Sequence, residues 1–118
     1  MRVDVVAVGT ELLLGQIIDT NSSWIGEQLA AHGFDSLMQT KVGDNLGRVV
    51  SAFRTALAEA DAIIVCGGLG PTHDDLTRDA IAEVMGVELA PHDDIADRIR
   101  ERLAGRGRDN AVRNLLPA

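Results

Sequence analysis

Two apolar runs, each halted by glycine, limit what this chain can fold into. Val3-Asp4-Val5-Val6-Ala7-Val8 is β-branched, almost unbroken, and stops at Gly9. Ala62-Ile63-Ile64-Val65-Cys66 has the same character and stops at Gly67-Gly68. Runs without in–out alternation suit strands buried on both faces, as in parallel sheets.

Around these runs the period becomes helical. Asn21-Ser22-Ser23 offer caps for a helix carrying Ile25 and Leu29 on one face, with Gly33 after His32 as its stop. Leu46, Val49, Val50, Phe53 and Leu57 recur at i, i+3, i+4 and i+7 spacing, capped by Asp44 or Asn45. Leu76, Ala80, Ile81 and Val84 form a third stripe, ended by Gly86. Pro91 suits a first helical position ahead of Ile95, Ile99 and Leu103. Phe34 to Val42 mixes polar and apolar residues and reads as a strand nearer an edge; Val87–Leu89 reads as a short extended piece, and Gly105-Arg106-Gly107-Arg108 as a loop. The order β-α-β-α-β-α, extended piece, α predicts one α/β domain over 1–118, with parallel pairing, right-handed crossovers and helices on both faces. Ligands of such sheets lie beyond the carboxyl ends of the strands, so the segments after each strand are where chemistry is expected.

Composition narrows the partners. The 118 residues suffice for one core, with roughly 65% of the unfolded surface buried. Phe34, Phe53 and Trp24 are the only aromatic residues, so the core is aliphatic. A net charge of −7 argues against nucleic acid, and the arginines between Arg98 and Arg113 are interleaved with acids. No apolar run is long enough to span a bilayer, and Met1 leads straight into a strand-like segment, so no membrane partner and a cytoplasmic location are expected. Cys66 lies in an apolar run and reads as a small core residue. His32 and His92 read as surface residues. Trp24, if exposed, suits a subunit interface.

The richest candidate segment is Gly67-Gly68-Leu69-Gly70-Pro71-Thr72-His73-Asp74-Asp75, directly after the third strand. Three glycines in four residues let backbone approach a ligand or adopt positive φ. A helix opening near Asp74 or Asp75 would add free N–H groups that attract phosphate or carboxylate. The segment is neither a P-loop nor a dinucleotide fingerprint, since no Lys-Ser/Thr follows and the glycine spacing differs. A tight turn with an Asp cap is the plainer alternative. Asp74 and Asp75 are adjacent and point differently; one can cap while the other holds Mg²⁺ or a similar hard cation bridging to phosphate. His73 is a weaker candidate for phosphate or metal. Asp44, after the second strand, can cap a helix and contact a ligand at once. Gly9-Thr10-Glu11 can supply N–H groups, a hydroxyl and a carboxylate, the last for a ligand hydroxyl or a metal. Asp19-Thr20-Asn21 is rich in hydrogen-bonding groups, with capping as its plain role. Leu12-Leu13-Leu14 reads as packing.

On these residues the chain resembles the molybdopterin-binding-like domain shared by MogA, MoaB and MoeA proteins, and more closely the amino-terminal domain of the CinA (competence/damage-inducible) family. The matching stretches are Val8–Ile17, Asp19-Thr20-Asn21, Val42-Gly43-Asp44-Asn45 and Gly67–Thr77, within a similarity running from Met1 to about Pro117. The resemblance implies three α/β/α layers around a mostly parallel sheet of order 2-1-3-5-4 with one antiparallel strand. It implies that Gly9–Glu11, Gly67–Asp75 and Asp44 share one edge, with aspartates at Asp44 and Asp75 serving the site. For the CinA-like members it implies hydrolysis of the ADP-ribose pyrophosphate bond with Mg²⁺, Mn²⁺ or Co²⁺ and no tightly bound organic cofactor. For the molybdenum-cofactor members it implies Mg²⁺-dependent adenylyl transfer to molybdopterin; a non-catalytic ligand-binding or assembly module is the third reading. It further implies a homodimer or homotrimer, a nucleotide or pterin as partner, and a domain that normally continues past Ala118, so that 1–118 is expected to be incomplete.

Overall fold

A computed structural model describes residues 1–15, 19–103 and 115–117. Strand β1 (Val3–Val8) lies between β2 (Gln39–Val42) and β3 (Ala62–Cys66), and both pairings are parallel. Every β1 residue is buried, which is why its sequence shows no alternation. Its two faces meet different helices. Val6 and Val8 pack with Val49, Val50 and Phe53 of α3 (Leu46–Glu59) and with Ala80 of α4 (Thr77–Met85). Val3 and Val5 pack with Leu29 of α2 (Thr20–Ala31). Each buried Val, Leu or Phe side chain here contributes roughly 1.5–3 kcal/mol by leaving water. The result is the expected three-layer α/β/α arrangement.

Further along, β4 (Leu89–Pro91) pairs antiparallel with β5 (Leu115–Pro117), and α5 (Asp93–Leu103) lies between them in sequence. Among the described residues this pair forms its own two-stranded sheet beside the 2-1-3 sheet rather than a continuous 2-1-3-5-4 order.

Several local expectations are corrected. The strand expected from Phe34 begins only at Gln39, because the amides of Leu37 and Met38 donate to the Asp4 carboxylate instead of to a ladder. Pro91 closes β4 rather than opening a helix; its pairing partner Leu115 is far away in sequence. Helix α5 starts at Asp93, with two acids in the first turn where the helix dipole favours them. The cap of α2 comes from Asp19, the plain role read for Asp19-Thr20-Asn21, and not from Asn21-Ser22-Ser23: the Asp19 side chain accepts the Ser22 N–H at 3.1 Å. Leu12-Leu13-Leu14 does not pack: Thr10–Leu13 is a short helix, α1, with no buried residue, and Leu13 and Leu14 stand exposed. His92 is half-buried, and its Nε2 finds no hydrogen-bond partner among the described residues. The loop expected at Gly105–Arg108, and Gln16 and Ile17 of the first motif, lie outside the described residues. Trp24 is exposed, and Cys66 is half-buried against the α2 side of the core. Among the described residues no helix is long and apolar enough to cross a membrane.

Candidate functional site

The carboxyl ends of β1 and β3 bring two loops into contact. Gly67 takes φ 87°, and its α-carbon lies so close to the Val8 carbonyl that a Cβ would overlap it. Gly68 takes φ 67°, with the Thr77 side chain standing where its Cβ would be. At either position another residue meets both a collision and a left-handed backbone that costs about 1–2 kcal/mol. The glycine pair therefore serves close approach and turning together.

Over β1 and β2, Thr10 and Asp44 bond reciprocally. The Asp44 N–H donates to Thr10 Oγ1 at 2.9 Å, and the Thr10 N–H donates to Asp44 Oδ2 at 3.3 Å. Asp44 thus satisfies an amide at the start of α1; the cap of α3 is Asn45, whose Oδ1 accepts from Arg48 N at 3.1 Å. The Glu11 carboxylate lies over Gly9, its Oε1 2.6 Å from the place of an added Cβ. Thr10, Glu11 and Asp44 are all half-buried, within reach of solvent and ligand.

The tip of the Gly67–Asp75 loop is held differently. Asp75 Oδ2 accepts from the Thr72 hydroxyl at 2.7 Å and the Thr72 N–H at 3.1 Å. The hydroxyl bond is the strongest influence on this carboxyl. Together with the Thr72 and Gly70 amides and the charge of Arg78, it outweighs the opposing effect of burial and holds Asp75 below the usual carboxylate range. Asp75 is therefore an anion at neutral pH. Asp74 and His73 face each other at 3.5 Å and are both largely exposed, so the two adjacent aspartates point apart. A cavity of about 260 Å³ lies beside the tip, lined by Thr72, His73, Asp75, Arg78 and Leu89 among others.

Helix α4 begins at Thr77, two residues later than the nearer of the expected starts, with Leu76 as its cap. Its first residues reach back under the loop. The Thr77 hydroxyl donates to Gly67 O at 2.7 Å, the Thr77 N–H to Gly68 O at 3.2 Å, and Arg78 Nη2 to Gly70 O at 3.1 Å. Thr77 and Arg78 are buried. Neither stands among the site residues expected from the sequence. Helix periodicity carried no signal for either, since the apolar stripe runs through Leu76, Ala80, Ile81 and Val84.

Gly9–Glu11 and Asp44 thus form one cluster and Leu69–Asp75 another, joined by the contact of Gly67 with Val8. Among the described residues no hydrogen bond links Asp44 to Asp75, and no group of three or more His, Cys, Asp or Glu is placed to hold a metal ion.

A family model described as "Probable molybdopterin binding domain" matches residues 4–115. The chain is 47% identical over 106 residues to a CinA-like protein of Desulfovibrio desulfuricans, covering 90% of this chain and 25% of that protein. It spans about a quarter of the length of the curated relatives it matches. A solved CinA structure of unknown function from Thermoplasma acidophilum superposes with a TM-score of 0.89 at 32% identity, over 98% of this chain and 70% of that one. The molybdopterin biosynthesis enzyme MoaB of Thermus thermophilus superposes with a TM-score of 0.69 at 24% identity, over 99% and 74%, a likeness of fold.

Proposed function

Because the chain belongs to the probable molybdopterin binding domain family and, within it, to the CinA proteins, we propose that its working edge binds a phosphate-containing small molecule and hydrolyses the pyrophosphate bond of ADP-ribose or a related dinucleotide. The observation that carries this reading is the backbone of Gly67 and Gly68, closed against Val8 and Thr77 with no room for side chains. Such backbone brings N–H groups directly to anionic oxygens.

On this reading each residue of the edge has a role. The loop amides take phosphate oxygens. Asp75, anionic and fixed by Thr72, holds a divalent cation (Mg²⁺, Mn²⁺ or Co²⁺). One or two carboxylates plus substrate phosphates are an ordinary set of ligands for Mg²⁺, so a site without a three-acid nest still fits a cation that arrives with its phosphate. When bound, that cation supplies charge neutralisation at the diphosphate. Asp74, turned outward, is at most an outer contact to it. Asp44 and Thr10 position ligand or water, and Glu11 bonds a ligand hydroxyl. A second reading, binding or adenylylation of molybdopterin, draws on the description of the matched family and uses the same loop.

Incubation with ADP-ribose and each cation in turn should release AMP. Asp75→Asn should slow release by at least about a hundredfold, within the range of a lost acid–base or charge-stabilising group, while the protein stays folded. Full activity in that variant would sink the assignment. Absence of AMP, together with rescue of a molybdenum-cofactor-deficient strain, would favour the pterin reading.

A further inference from the structure

We propose that Thr77 and Arg78 are positioning residues that set which loop amides face the anion, and that those amides are Gly68 and Leu69. The inference rests on the phosphate-binding reading above and assigns its donors atom by atom.

A peptide unit is planar and trans, so its carbonyl and the next residue's N–H point in opposite directions. The Gly67 carbonyl is drawn down by the Thr77 hydroxyl at 2.7 Å. That turns the Gly68 N–H the other way, off the start of α4. The Gly68 carbonyl is drawn down by the Thr77 N–H at 3.2 Å, which turns the Leu69 N–H outward too. Neither amide has an acceptor among the described residues. Leu69 is more than half exposed, so its amide lies close to solvent. The next two positions offer nothing to an anion: the Gly70 amide acts on Asp75, and Pro71 has no N–H. Arg78 Nη2 holds the Gly70 carbonyl at 3.1 Å and closes the turn from below. Two consecutive free amides, backed by a buried guanidinium, make a concave donor pair of the kind that takes one phosphate or carboxylate group.

Thr77 therefore does two things through one residue: its hydroxyl and its amide each fix a carbonyl. Serine keeps both, and valine keeps only the amide. Lysine at 78 keeps a charge but loses the planar fork. On this assignment Thr77 and Arg78 act through the carbonyls they hold, so their effect must appear as loop geometry.

The test is amide-resolved NMR on the full ¹⁵N-labelled chain, titrated with inorganic pyrophosphate and with ADP-ribose. The Gly68 and Leu69 resonances should move most in the wild type. Thr77→Val should weaken binding by about tenfold or more, the loss expected when one hydrogen bond no longer holds the donors. Thr77→Ser should stay within about threefold of wild type, and Arg78→Met should bind more weakly than Arg78→Lys. Resonances of β1 and α3 serve as the check that each variant is folded; if Thr77→Val is not, the Thr77→Ser and Arg78 pair decide the matter. Wild-type affinity in both Thr77→Val and Arg78→Met would overturn the positioning role and leave the phosphate reading standing. No movement of Gly68 and Leu69 with either probe in the wild type would overturn that reading, and this assignment with it.

Discussion

The two edges of the parallel sheet use aspartate in opposite ways. At the amino-terminal edge, Asp4 is almost wholly buried, and both its oxygens are committed to protein. Arg2 donates to them at 2.9–3.3 Å, and the amides of Leu37 and Met38 donate to Oδ1 at 3.1 and 3.3 Å. At the carboxyl edge, Asp44 accepts a single N–H, and Asp75 takes both Thr72 bonds on one oxygen; both residues are half-buried. The first pattern joins a strand to the chain before β2. The second holds a carboxylate in place while leaving it reachable. The contrast separates an aspartate that builds the sheet from aspartates that can serve a ligand.

The largest expected effect comes from breaking the carboxyl edge at its backbone. Gly67→Ala places a Cβ against the Val8 carbonyl and demands a left-handed conformation from alanine. The obstacle is backbone of the central strand, which cannot swing aside like a side chain. A loss of about 3–4 kcal/mol is expected from strain and overpacking together, read as a lowered urea midpoint. A loss below about 1 kcal/mol would mean that the loop is free to move off β1, and the rigid cradle would go with it.

Next comes the amino-terminal edge. Asp4→Ala leaves two amides without their acceptor and Arg2 with only its 3.4 Å contact to Glu59, and about 2–3 kcal/mol of stability should be lost, with ligand binding at the opposite edge unchanged. Its pH dependence sharpens the comparison. Burial alone would push the Asp4 carboxyl up, but the Arg2 hydrogen bond and the Leu37 and Met38 amides together outweigh it and hold the carboxyl below its ordinary value of 3.8. A lowered folded value gives stability that is fully present above the ordinary value and is lost as pH falls through the folded one. The gap between wild type and Asp4→Ala should stay constant from neutral pH down to about 4 and close below it. A gap that closed near neutral pH would contradict this account.

How much of this was legible depends on the range of the interaction. β1 and β3 could be read because burial on both faces leaves a local mark, an apolar run without alternation. Gly67-Gly68 could be read because positive φ and close approach select one residue type. Asp44 and Thr10 were each flagged, but their hydrogen-bonded pairing was not: they lie 34 positions apart, and a cap for the helix starting at Leu46 explained Asp44 equally well. Pro91 misled for the same reason. Its neighbours suit a helix start, and the pairing of Leu89–Pro91 with Leu115–Pro117 leaves no sign near it. Thr77 and Arg78 were hidden by helix periodicity, which records the face a residue occupies and not the carbonyl it holds.

The smallest of these effects tests whether the carboxyl edge is one structure or two. Thr10→Val keeps the size of the side chain and removes the hydroxyl that accepts the Asp44 N–H at 2.9 Å. That amide is half-buried and partly open to water, so only about 1 kcal/mol of stability should be lost. The more telling readout is at the loop tip. Among the described residues no hydrogen bond joins Thr10 or Asp44 to the Gly67–Asp75 loop, which approaches β1 where Gly67 meets Val8, and the hydrogen bonds of Asp75 run to Thr72 within its own loop. Amide exchange at Gly68 and Leu69 should therefore be unchanged in Thr10→Val, while exchange at Asp44 rises. Faster exchange at both places would show that the two clusters open together, and that Asp44 shapes the anion-facing loop as well as its own corner.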